Sequence, residues 1–440
     1  MDLAERLEIH RSEISGRVRL PGSKSLTNRA LVVAALAEGR SLISGGLAGD
    51  DSESMVEGLR LLGAGVRELG TEPPSWEVDG TGGRVGGPGP GASGLVIDAN
   101  LAGTTLRFLT AVAALGAGGV TVTGRGGLLG RPVGDLLTAL RSCGADVRGS
   151  GPGGDRAPVH VGARGRLGGS VVVEAGSSSQ FVTALLLAGP CMDEDLELEV
   201  RDLADDGFVR LTIEVMEHFG AEVDPLPRGY RVRAGAGYHG ADYEVPPDAS
   251  AAAHLATLAL AVGGTVTLEA LAAARSQPDY GFVTAVVAAA GGRVREEAGG
   301  AVTVSGPRRL RPLDVDLRAM PDQLPSAAVL AALAPGTSVL RGVGITRHHE
   351  TDRMAAVKEE LNKAGVEVEL TGDDVVVHGG TARPGAVLDS HGDHRMAMAL
   401  AALAAAIGGC LVEGAGAVSK TYRAFWRDAC ALGLRALPQG

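Results

Sequence analysis

One pattern of apolar and polar positions recurs along the chain. A run with helical apolar periodicity ends at a glycine, a small residue follows, and a short alternating run containing valine comes next. The pattern reads LRLLGAGV, LRSCGADV, MEHFGAEV, VAAAGGRV and LNKAGVEV, with a weaker sixth copy in ACALGLRAL, and its glycines are Gly63, Gly144, Gly220, Gly291, Gly365 and Gly433. A glycine just past an amphipathic helix supplies the left-handed residue that ends the helix, and alternation indicates a strand. Six helix-to-strand junctions are therefore predicted.

A second pattern lies out of phase with the first. Helical runs of small apolar residues end near Gly39, Gly119, Gly264, Gly336 and Gly409, and the copy near Pro190 is degenerate. Strand-like runs such as GTVTLEAL and GTSVLRGV follow these glycines. Together the two patterns give six α/β units of roughly 70 residues, a period too long for ankyrin or tetratricopeptide repeats. Two pseudo-threefold domains are predicted; the alternative is a doubly wound α/β protein, which would not repeat the whole pattern six times.

The composition narrows the class of protein. The chain has 440 residues, of which 45% are hydrophobic and 21% charged, so it is globular rather than disordered. Aromatic residues make up only 3% and there are 67 glycines, which indicates a core of closely packed small side chains. The net charge of −11 argues against a nucleic-acid binder, which needs a basic face. A local basic cleft for an anionic substrate remains compatible with this charge.

Other features predict a cytoplasmic protein. The four cysteines, Cys143, Cys191, Cys410 and Cys430, form no CxxC pair and no zinc-type spacing, so buried free thiols are expected. The N-terminal sequence has no apolar signal region, and no uncharged run of 18 residues resembles a membrane span. We expect neither a membrane nor a nucleic-acid partner.

The segment LPGSKSLTNRALVVAAL places two cations at a predicted helix start. Pro-Gly ends a strand, and a helix is predicted to open near Ser25 or Thr27, with Lys24 and Arg29 beside its first turn. Cations are unfavourable at a helix N-terminus unless an anion is bound there, because the helix dipole is positive at that end. The segment therefore indicates an anion site, and a solvated basic cap is the alternative.

Three further segments of the first half contain predicted helix starts that could bind a ligand. In NLAGTTLRFLTAVAAL a helix is predicted to open at Ala102-Gly103-Thr104, with Arg107 one turn inside. In GRPVGDLLTAL a helix is predicted to start at Arg131-Pro132, where the missing proline N–H costs nothing. In GSSSQFVTALLLAGP three serines and Gln180 precede a helix, which suits a phosphate or polyol, although a serine-rich N-cap is the alternative.

The second half carries four charged loop-to-helix junctions. They are RAMPDQLPSAAVLAAL with Asp322, RHHETDRMAAVKEEL with His349, Glu350 and Arg353, SHGDHRMAMALAAL with Asp393, His394 and Arg395, and SKTYRAFW with Lys420. A pseudo-symmetric protein that repeats a charged helix start in each unit would bring these junctions together at one interface. The pattern therefore predicts a shared anion-binding site.

The same segments resemble a known family. LPGSKSLTNRALVVAALA, LAGTTLRFLTA, SSQFVTALLL, HHETDRMAAV, DHRMAMALA and SKTYRAFW resemble, in order and across nearly the whole chain, the signatures of the 5-enolpyruvylshikimate 3-phosphate synthases, members of the enolpyruvyl transferases. The resemblance implies a two-domain inverted α/β barrel with three units per domain. One domain would comprise residues 1–20 and 246–440, the other residues 21–245, and the active site would lie in the cleft between them.

The resemblance also implies a reaction. The enolpyruvyl group of phosphoenolpyruvate would pass to the 5-hydroxyl of shikimate 3-phosphate, by addition and elimination through a tetrahedral ketal, with release of phosphate in the shikimate pathway of aromatic amino-acid biosynthesis. No metal and no organic cofactor would be needed, and we expect a monomer.

Site residues follow from the resemblance, motif by motif. The residues implied to bind phosphoenolpyruvate are Lys24, Gly103, Arg131, Gln180, Arg353, Arg395 and Lys420. Those implied to bind the acceptor are Ser25, Arg29, Ser178, Ser179, Gln180, Asp322 and His349. Asp322 would be the base for the acceptor, and Glu350 with Lys420, assisted by Lys24, would complete the catalytic set.

The chain departs from the family pattern at four places. Leu101 replaces the usual Asn, Asp205 and Phe208 replace a hydroxyl residue and a Tyr or His, and His349 replaces a Lys or Arg. The charge changes affect the side expected to hold the acceptor phosphate, so an enolpyruvyl transferase acting on a different alcohol is an alternative. A transferase acting on UDP-N-acetylglucosamine fits less well, because Gly126 stands where that family has a reactive cysteine. An inactive binding protein and a repeat scaffold are more distant alternatives.

Overall fold

The computed structural model describes residues 5–86, 94–162 and 165–439, and the chain forms two compact units. Unit 1 comprises Met1–Pro21 and Pro247–Gly440, and unit 2 comprises Gly22–Pro246. The chain therefore starts in unit 1, continues through the whole of unit 2 and returns. These divisions lie one residue from the positions that the resemblance implied.

The described residues include twelve α-helices. They are α1 Lys24–Leu36, α2 Asp50–Leu61, α3 Gly103–Ala114, α4 Gly134–Ser142, α5 Gln180–Ala188, α6 Gly207–His218, α7 Ala249–Val262, α8 Val287–Ala289, α9 Leu324–Leu333, α10 Arg353–Lys363, α11 His394–Ile407 and α12 Phe425–Ala431. A π-helical segment, Phe282–Val286, precedes α8 and extends it.

Twenty-four strands complete the described structure. They are β1 Arg6–His10, β2 Ser15–Arg19, β3 Arg40–Ser44, β4 Gly65–Glu68, β5 Trp76–Asp79, β6 Leu95–Asp98, β7 Val120–Thr123, β8 Val147–Ser150, β9 Arg156–Val161, β10 Gly169–Glu174, β11 Leu196–Arg201, β12 Val223–Leu226, β13 Gly229–Val232, β14 Asp242–Glu244, β15 Thr265–Glu269, β16 Arg293–Glu296, β17 Val302–Ser305, β18 Asp314–Asp316, β19 Gly336–Arg341, β20 Glu367–Thr371, β21 Asp374–Gly379, β22 Val387–Asp389, β23 Cys410–Glu413 and β24 Arg435–Pro438.

The strands form six four-stranded sheets with one shared topology. In each sheet the first strand is parallel to the second, and the third and fourth follow antiparallel, in the orders β2-β15-β17-β16, β18-β19-β21-β20, β22-β23-β1-β24, β14-β3-β5-β4, β6-β7-β9-β8 and β10-β11-β13-β12. The first three sheets belong to unit 1 and the others to unit 2. The predicted six repeats and the α/β fold class are confirmed.

Two kinds of helix alternate in the repeats. Helices α1, α3 and α5 in unit 2, and α7, α9 and α11 in unit 1, are buried over almost their whole length, while the outer helices α2, α4, α6 and α10 bury one face. The buried helices α7, α9 and α11 pack against one another. Their alanines permit close approach, and each fully buried Val or Leu contributes about 1.5–3 kcal/mol.

The glycines of the first pattern end the outer helices as predicted. Gly63, Gly144, Gly220, Gly291, Gly365 and Gly433 all have positive φ, between 81° at Gly365 and 112° at Gly433. Such values favour glycine because a Cβ atom would collide with the backbone. The prediction of a helix start at Arg131-Pro132 is wrong: residues Gly126–Gly130 form a 3-10 turn and α4 begins only at Gly134, because Val133 has a non-helical φ of −134°.

All four cysteines are free thiols; Cys143 and Cys410 are buried, whereas Cys191 and Cys430 are partly exposed. Burial raises the pKa of the Cys143 and Cys191 thiols to about 12, so both are protonated at neutral pH. Among the described residues, no helix combines the length and apolar character needed to cross a lipid bilayer.

A buried carboxylate lies under the start of α7. Asp248 caps this helix by accepting hydrogen bonds from the backbone N–H groups of Ser250 (2.7 Å) and Ala251 (3.3 Å). The Ser250 hydroxyl in turn donates a hydrogen bond to Oδ2 of Asp279. Asp279 is only 3% exposed, and its Oδ1 has no hydrogen-bond partner among the described residues. Burial raises the pKa of Asp279 to about 6, even though Arg395 opposes this shift.

The raised pKa of Asp279 predicts how stability depends on pH. An unfolded Asp has a pKa of about 3.9, so the folded protein binds more protons than the unfolded chain between about pH 4 and pH 6, and stability falls as pH rises through this window. The free energy of unfolding of the wild type, relative to Asp279→Asn, should decrease by about 2 kcal/mol from pH 4.5 to pH 6.5 in urea titrations. Asp373→Asn, at a side chain 72% exposed, is the control. A pH-independent difference for Asp279→Asn would contradict the buried ionisable state.

A second prediction concerns the glycines that approach the ends of the buried helices. An added Cβ at Gly379 would lie 2.0 Å from the Ala331 carbonyl oxygen and 2.3 Å from that of Ala334, at the end of α9. Gly80 approaches the end of α1 in the same way, because its Cβ would lie 2.2 Å from the Ala37 carbonyl oxygen. Backbone atoms cannot move aside, so Gly379→Ala should lower the free energy of unfolding by about 1–3 kcal/mol in urea.

Gly281→Ala is the matched control for Gly379→Ala. Its Cβ would meet only the flexible side chain of Met320, at 3.5 Å. Equal effects of the two variants would show that the close approach to α9 does not limit stability.

Candidate functional site

The starts of the buried helices gather the charged motifs in each unit. In unit 1, Arg395 at the start of α11 reaches Ser250 at the start of α7 and Asp322 beside the start of α9. In unit 2, Arg107 in the first turns of α3 reaches Gln180 at the start of α5. Each unit therefore has one cluster of polar and charged helix starts, called the unit 1 cluster and the unit 2 cluster below.

Arg353 is the centre of the unit 1 cluster. Its side chain is 1% exposed, and its Nε and two Nη atoms donate to three carboxylates. The distances are 2.7 Å from Nε to Asp393 Oδ2, 2.6 Å from Nη1 to Asp322 Oδ1 and 2.8 Å from Nη2 to Glu350 Oε2. Burial alone would lower the pKa of Arg353, but the carboxylates raise it above its usual value. The guanidinium is therefore a permanently charged link between three loop-to-helix junctions.

Asp322 is shared between two guanidinium groups. Its Oδ1 accepts from Arg353, and its Oδ2 accepts from Arg395 Nη2 at 3.0 Å. Desolvation alone would raise the pKa of Asp322, but Arg395, Arg353 and His349 hold it well below the usual range. Asp322 is therefore ionised, and 30% of its side chain remains exposed to solvent.

Glu350 and Lys420 form a close ion pair on the other side of Arg353. Lys420 Nζ lies 2.6 Å from Glu350 Oε1, and Oε2 of the same carboxylate accepts from Arg353. The two side chains are 9% and 16% exposed, for Lys420 and Glu350 respectively. A carboxylate and an ammonium group in direct contact can exchange a proton with a third group placed beside them.

Arg395 has an unused donor. Its Nη2 contacts Asp322 and the Ser250 hydroxyl, which is 3.3 Å away, and its backbone N–H donates to Asp393 Oδ1 at 2.8 Å. Its Nη1 is buried and has no partner among the described residues. A buried N–H without an acceptor costs about 1–3 kcal/mol, so this position favours an incoming anionic oxygen.

His349 lies beside Asp322 and Arg353. Its Nδ1 is 3.1 Å from Asp322 Oδ1 and 3.0 Å from Arg353 Nη1, and 23% of its side chain is exposed. The structure thus brings together the six residues that the resemblance placed in the second half of the chain: Asp322, His349, Glu350, Arg353, Arg395 and Lys420.

Lys24 is the first residue of α1 in the unit 2 cluster. Its Nζ lies 3.2 Å from Oδ2 of Asp51, which is in the first turn of α2 and is 4% exposed. The hydroxyl of Thr105 donates to the Asp51 carbonyl oxygen at 3.2 Å, which joins this corner to α3. Lys24, which the sequence predicted to bind an anion, therefore pairs with the carboxylate of Asp51.

Two guanidinium groups meet at the start of α3. An added Cβ at Gly103 would lie 3.0 Å from Arg131 Nη1 and 3.3 Å from Arg107 Nη1, so a side chain there would press against both guanidinium groups. Arg107 Nη1 donates to Gln180 Oε1 at 2.7 Å, and its guanidinium stacks on Phe181 at 5.2 Å. This arrangement brings together three residues that the resemblance implied to bind phosphoenolpyruvate: Gly103, Arg131 and Gln180.

Arg29 is held inside unit 2. Its nitrogens donate to Thr212 Oγ1 at 2.8 Å, to the Ser25 carbonyl oxygen at 2.8 Å and to the Phe208 carbonyl oxygen at 3.2 Å. The guanidinium lies between the rings of Phe108 and Phe208, and burial lowers its pKa to about 10. The structure shows Arg29 joining α1 to α6, and its role toward an acceptor stays a prediction.

The serines lie at the start of α5. Ser178 Oγ accepts from the Gln180 backbone N–H at 3.2 Å, and Ser179 is the residue before the helix. Asp205 is used locally, since its Oδ1 accepts from the Gly207 backbone N–H at 2.8 Å at the start of α6. Arg210 pairs with Asp206 at 3.0 Å and not with Asp205.

Four residues that the sequence left out of the site take part in these contacts: Asp51, Arg107, Ser250 and Asp393. Asp393 and Arg107 stand in motifs that the sequence already marked, and only their partners were unknown. Asp51 and Ser250 lie in the first turn of predicted helices, which is the signal that could have found them. Their contacts join segments far apart in the chain, so spacing alone could not assign them.

One other cluster has the composition of a metal site. Among the described residues, Glu359, Glu360 and His391 place ligand atoms within 4.8 Å of one another. Lys363 Nζ lies 3.1 Å from Glu359 and 2.7 Å from Glu360, so a cation already contacts both carboxylates. The cluster joins α10 to the loop before α11 and does not require a metal.

Comparisons with known proteins show similarity over nearly the whole chain. The family model for EPSP synthase (3-phosphoshikimate 1-carboxyvinyltransferase) matches residues 9–429. The 3-phosphoshikimate 1-carboxyvinyltransferase of Aeropyrum pernix is 39% identical over 435 residues, covering 98% of this chain and 96% of the relative. That of Methanosphaerula palustris is 36% identical over 417 residues, covering 94% and 96%.

A solved structure has the same fold. EPSP synthase from Acinetobacter baumannii superposes with a TM-score of 0.80 at 23% identity, covering 98% of this chain and 99% of that one. The predicted family, fold class and enzyme activity, enolpyruvyl transfer from phosphoenolpyruvate to shikimate 3-phosphate, are thereby confirmed. The chain belongs to the EPSP synthase (3-phosphoshikimate 1-carboxyvinyltransferase) family.

Proposed function

We propose that the unit 1 cluster is the charged half of the active site for this reaction, with Arg395 as a donor-binding cation. The observation that carries this proposal is the buried Nη1 of Arg395, which has no partner among the described residues. Phosphoenolpyruvate offers carboxylate and phosphate oxygens, either of which would satisfy this donor. A charge-assisted hydrogen bond of this kind contributes about 1.5–3 kcal/mol.

The other donor contacts follow from the same argument. We propose that phosphoenolpyruvate is also bound by Lys420 in unit 1 and by Lys24, Arg131, Gln180 and Gly103 in unit 2. Arg353 would contribute mainly by holding the carboxylates in place, since its guanidinium nitrogens already donate to them. The cations Arg353, Arg395 and Lys420 balance Asp322, Glu350 and Asp393, so phosphoenolpyruvate would bind in competition with these carboxylates.

The proposed chemistry uses Asp322 and Glu350, two carboxylates whose side chains are partly exposed to solvent. The 5-hydroxyl oxygen of the acceptor forms a bond to C2 of phosphoenolpyruvate and its proton leaves on the Asp322 side. The electron pair of the double bond takes a proton at C3 from the Lys420–Glu350 pair, which gives the tetrahedral ketal. In the elimination, this pair removes a proton from C3 and the C2–phosphate bond breaks.

The acceptor contacts are proposed from the remaining predicted residues. Ser178, Ser179 and Ser25 offer hydroxyl groups, and Gln180, Arg29 and His349 complete the predicted set. Asp205 is left out of this set, because its Oδ1 accepts from the Gly207 backbone N–H at the start of α6. We further propose that the enzyme works in the cytoplasm as a monomer.

The test is an assay of product formation with a charge-removing variant. The wild type should release phosphate from phosphoenolpyruvate and shikimate 3-phosphate, with the enolpyruvyl product identified by mass spectrometry. Arg395→Gln should weaken donor binding by about 10-fold or more, because it removes a charge-assisted contact of about 1.5–3 kcal/mol. Calorimetry with phosphoenolpyruvate measures this loss.

Arg318→Gln is the matched control for Arg395→Gln. Arg318 is 63% exposed and pairs with Asp316 at the surface, so the same substitution there should leave donor affinity unchanged. Unaltered donor affinity in Arg395→Gln would remove Arg395 from the donor site.

A further inference from the structure

The Ser250 hydroxyl links Arg395 to a buried carboxylate behind the unit 1 cluster. It donates a hydrogen bond to Oδ2 of Asp279, and it accepts from Arg395 Nη2 at 3.3 Å and from Gln323 Nε2 at 3.4 Å. A hydroxyl group offers one hydrogen and two lone pairs, so these three contacts use all of them. Asp279 and Arg395 are therefore joined through a single oxygen atom.

The loop that carries Asp279 is fixed against the start of α7. Gln277 Oε1 accepts from the Ala249 backbone N–H at 3.0 Å, and its Nε2 donates to the Pro247 carbonyl oxygen at 2.7 Å. The π-helical segment Phe282–Val286 follows shortly after Asp279 in the chain. Because Asp279 is only 3% exposed and its loop is held on both sides of Gln277, the carboxylate cannot turn toward solvent.

Two charge states of Asp279 fit the same set of contacts. Its Oδ2 accepts from Ser250, whereas its buried Oδ1 has no hydrogen-bond partner among the described residues. A buried carboxylate with few donors is costly in its ionised form, and burial raises the pKa of Asp279 to about 6. A proton on Oδ1 leaves the Ser250 contact in place. Protonation therefore changes the charge behind Arg395 without requiring a change in the hydrogen bonds.

The charged groups around Asp279 come from the starts of three buried helices. Asp322 and Asp248 favour its protonated form, whereas Arg395 favours its ionised form. His254, one turn beyond Ser250 in α7, is neutral because burial holds its pKa well below the usual range. The titratable groups of the segments packed at this point are Asp248, His254, Arg275, Tyr280, Asp322 and Arg395. Among these groups, Arg395 is the cation that stabilises the Asp279 carboxylate.

We propose that Asp279, acting through Ser250, is a positioning residue for Arg395, and that phosphoenolpyruvate binding is coupled to the binding of a proton by Asp279. This inference rests on the proposed role of Arg395 in binding the donor. An anionic oxygen on Nη1 of Arg395 would neutralise the cation that stabilises the ionised carboxylate. Coupling is reciprocal, so the protonated carboxyl group favours the donor by the same factor by which the donor favours the proton.

The sign of the pH dependence follows from this coupling. Asp279 is protonated below about pH 6 and ionised above it. The ionised carboxylate competes with the donor for the Arg395 guanidinium, so its effect is to weaken donor binding as pH rises through this value. A phosphate monoester has its own second pKa at about 6, so the donor titrates in the same range. The effect of Asp279 must therefore be measured as a ratio between two enzymes at each pH.

Asp279→Asn is the variant that tests the proposal. Its amide oxygen can still accept from Ser250, but the side chain carries no charge. We expect kcat/KM for phosphoenolpyruvate, at saturating shikimate 3-phosphate and relative to the wild type, to rise about 5–10-fold between pH 5 and pH 8. The titration of the donor and of the other site residues cancels in this ratio. A purely structural defect would change the ratio by one factor at every pH.

Two further variants sharpen the experiment. Asp373→Asn makes the same substitution at a side chain 72% exposed, and its ratio to the wild type should stay flat with pH. Ser250→Ala removes the linking hydroxyl and leaves Asp279 without that donor, so the carboxyl group should stay protonated to higher pH. The ratio for Ser250→Ala should therefore also rise with pH, which tests the coupling even if Asp279→Asn does not fold. Thermal melts identify the folded variants.

The outcomes separate the coupling from the proposed function. Wild-type turnover together with ratios for Asp279→Asn and Ser250→Ala that are flat, or that fall with pH, would overturn the coupling alone. A folded Asp279→Asn that is inactive at every pH would overturn it as well, because the ionised carboxylate would then be required. Absence of wild-type turnover, or unaltered donor affinity in Arg395→Gln, would instead overturn the proposed function on which the coupling rests.

Discussion

A single buried guanidinium determines how the unit 1 cluster is built. Arg353 is inaccessible to solvent and binds Asp322, Glu350 and Asp393, which come from three different loop-to-helix junctions. Breaking such a pair by removing one partner typically costs about 3–5 kcal/mol, because it leaves an uncompensated buried charge. The three junctions therefore cannot separate independently. Lys420, Arg395 and His349 are positioned in turn through the carboxylates that Arg353 fixes.

The repeated architecture explains why this convergence is possible. Each unit packs three buried helices together, so their starts lie close to one another. Charged residues at these starts can therefore contact one another directly. Small side chains and glycines permit the close packing, as at Gly103, where two guanidinium groups lie within 3.3 Å of the position that a Cβ would take. The same plan serves different ends in the two units. Unit 1 pairs Arg353, Arg395 and Lys420 with carboxylates. In unit 2, Lys24 also pairs with a carboxylate, but Arg107 binds an amide and stacks on an aromatic ring.

Much of this fold could be predicted from the sequence because its signals are local. The six outer-helix glycines mark their junctions through a positive φ that each glycine adopts independently of the rest of the fold. The start of α4 was misplaced because the Arg131-Pro132 signal competes with a 3-10 turn just before it. The site residues of the second half were found as motifs, but their pairing was not. Asp51 beside Lys24, and Ser250 between Asp279 and Arg395, depend on packing between distant segments, which no local pattern records.

The central claim is that Arg353 couples the three junctions through buried charge, and a double-mutant cycle on the free energy of unfolding tests it most directly. Arg353→Met should cost about 3–5 kcal/mol, because three carboxylates lose their common partner. Asp393→Asn should then be far less costly in the Arg353→Met background than in the wild type, with a coupling energy of at least about 1 kcal/mol. Additive effects of the two substitutions, measured by urea unfolding at neutral pH, would contradict the account.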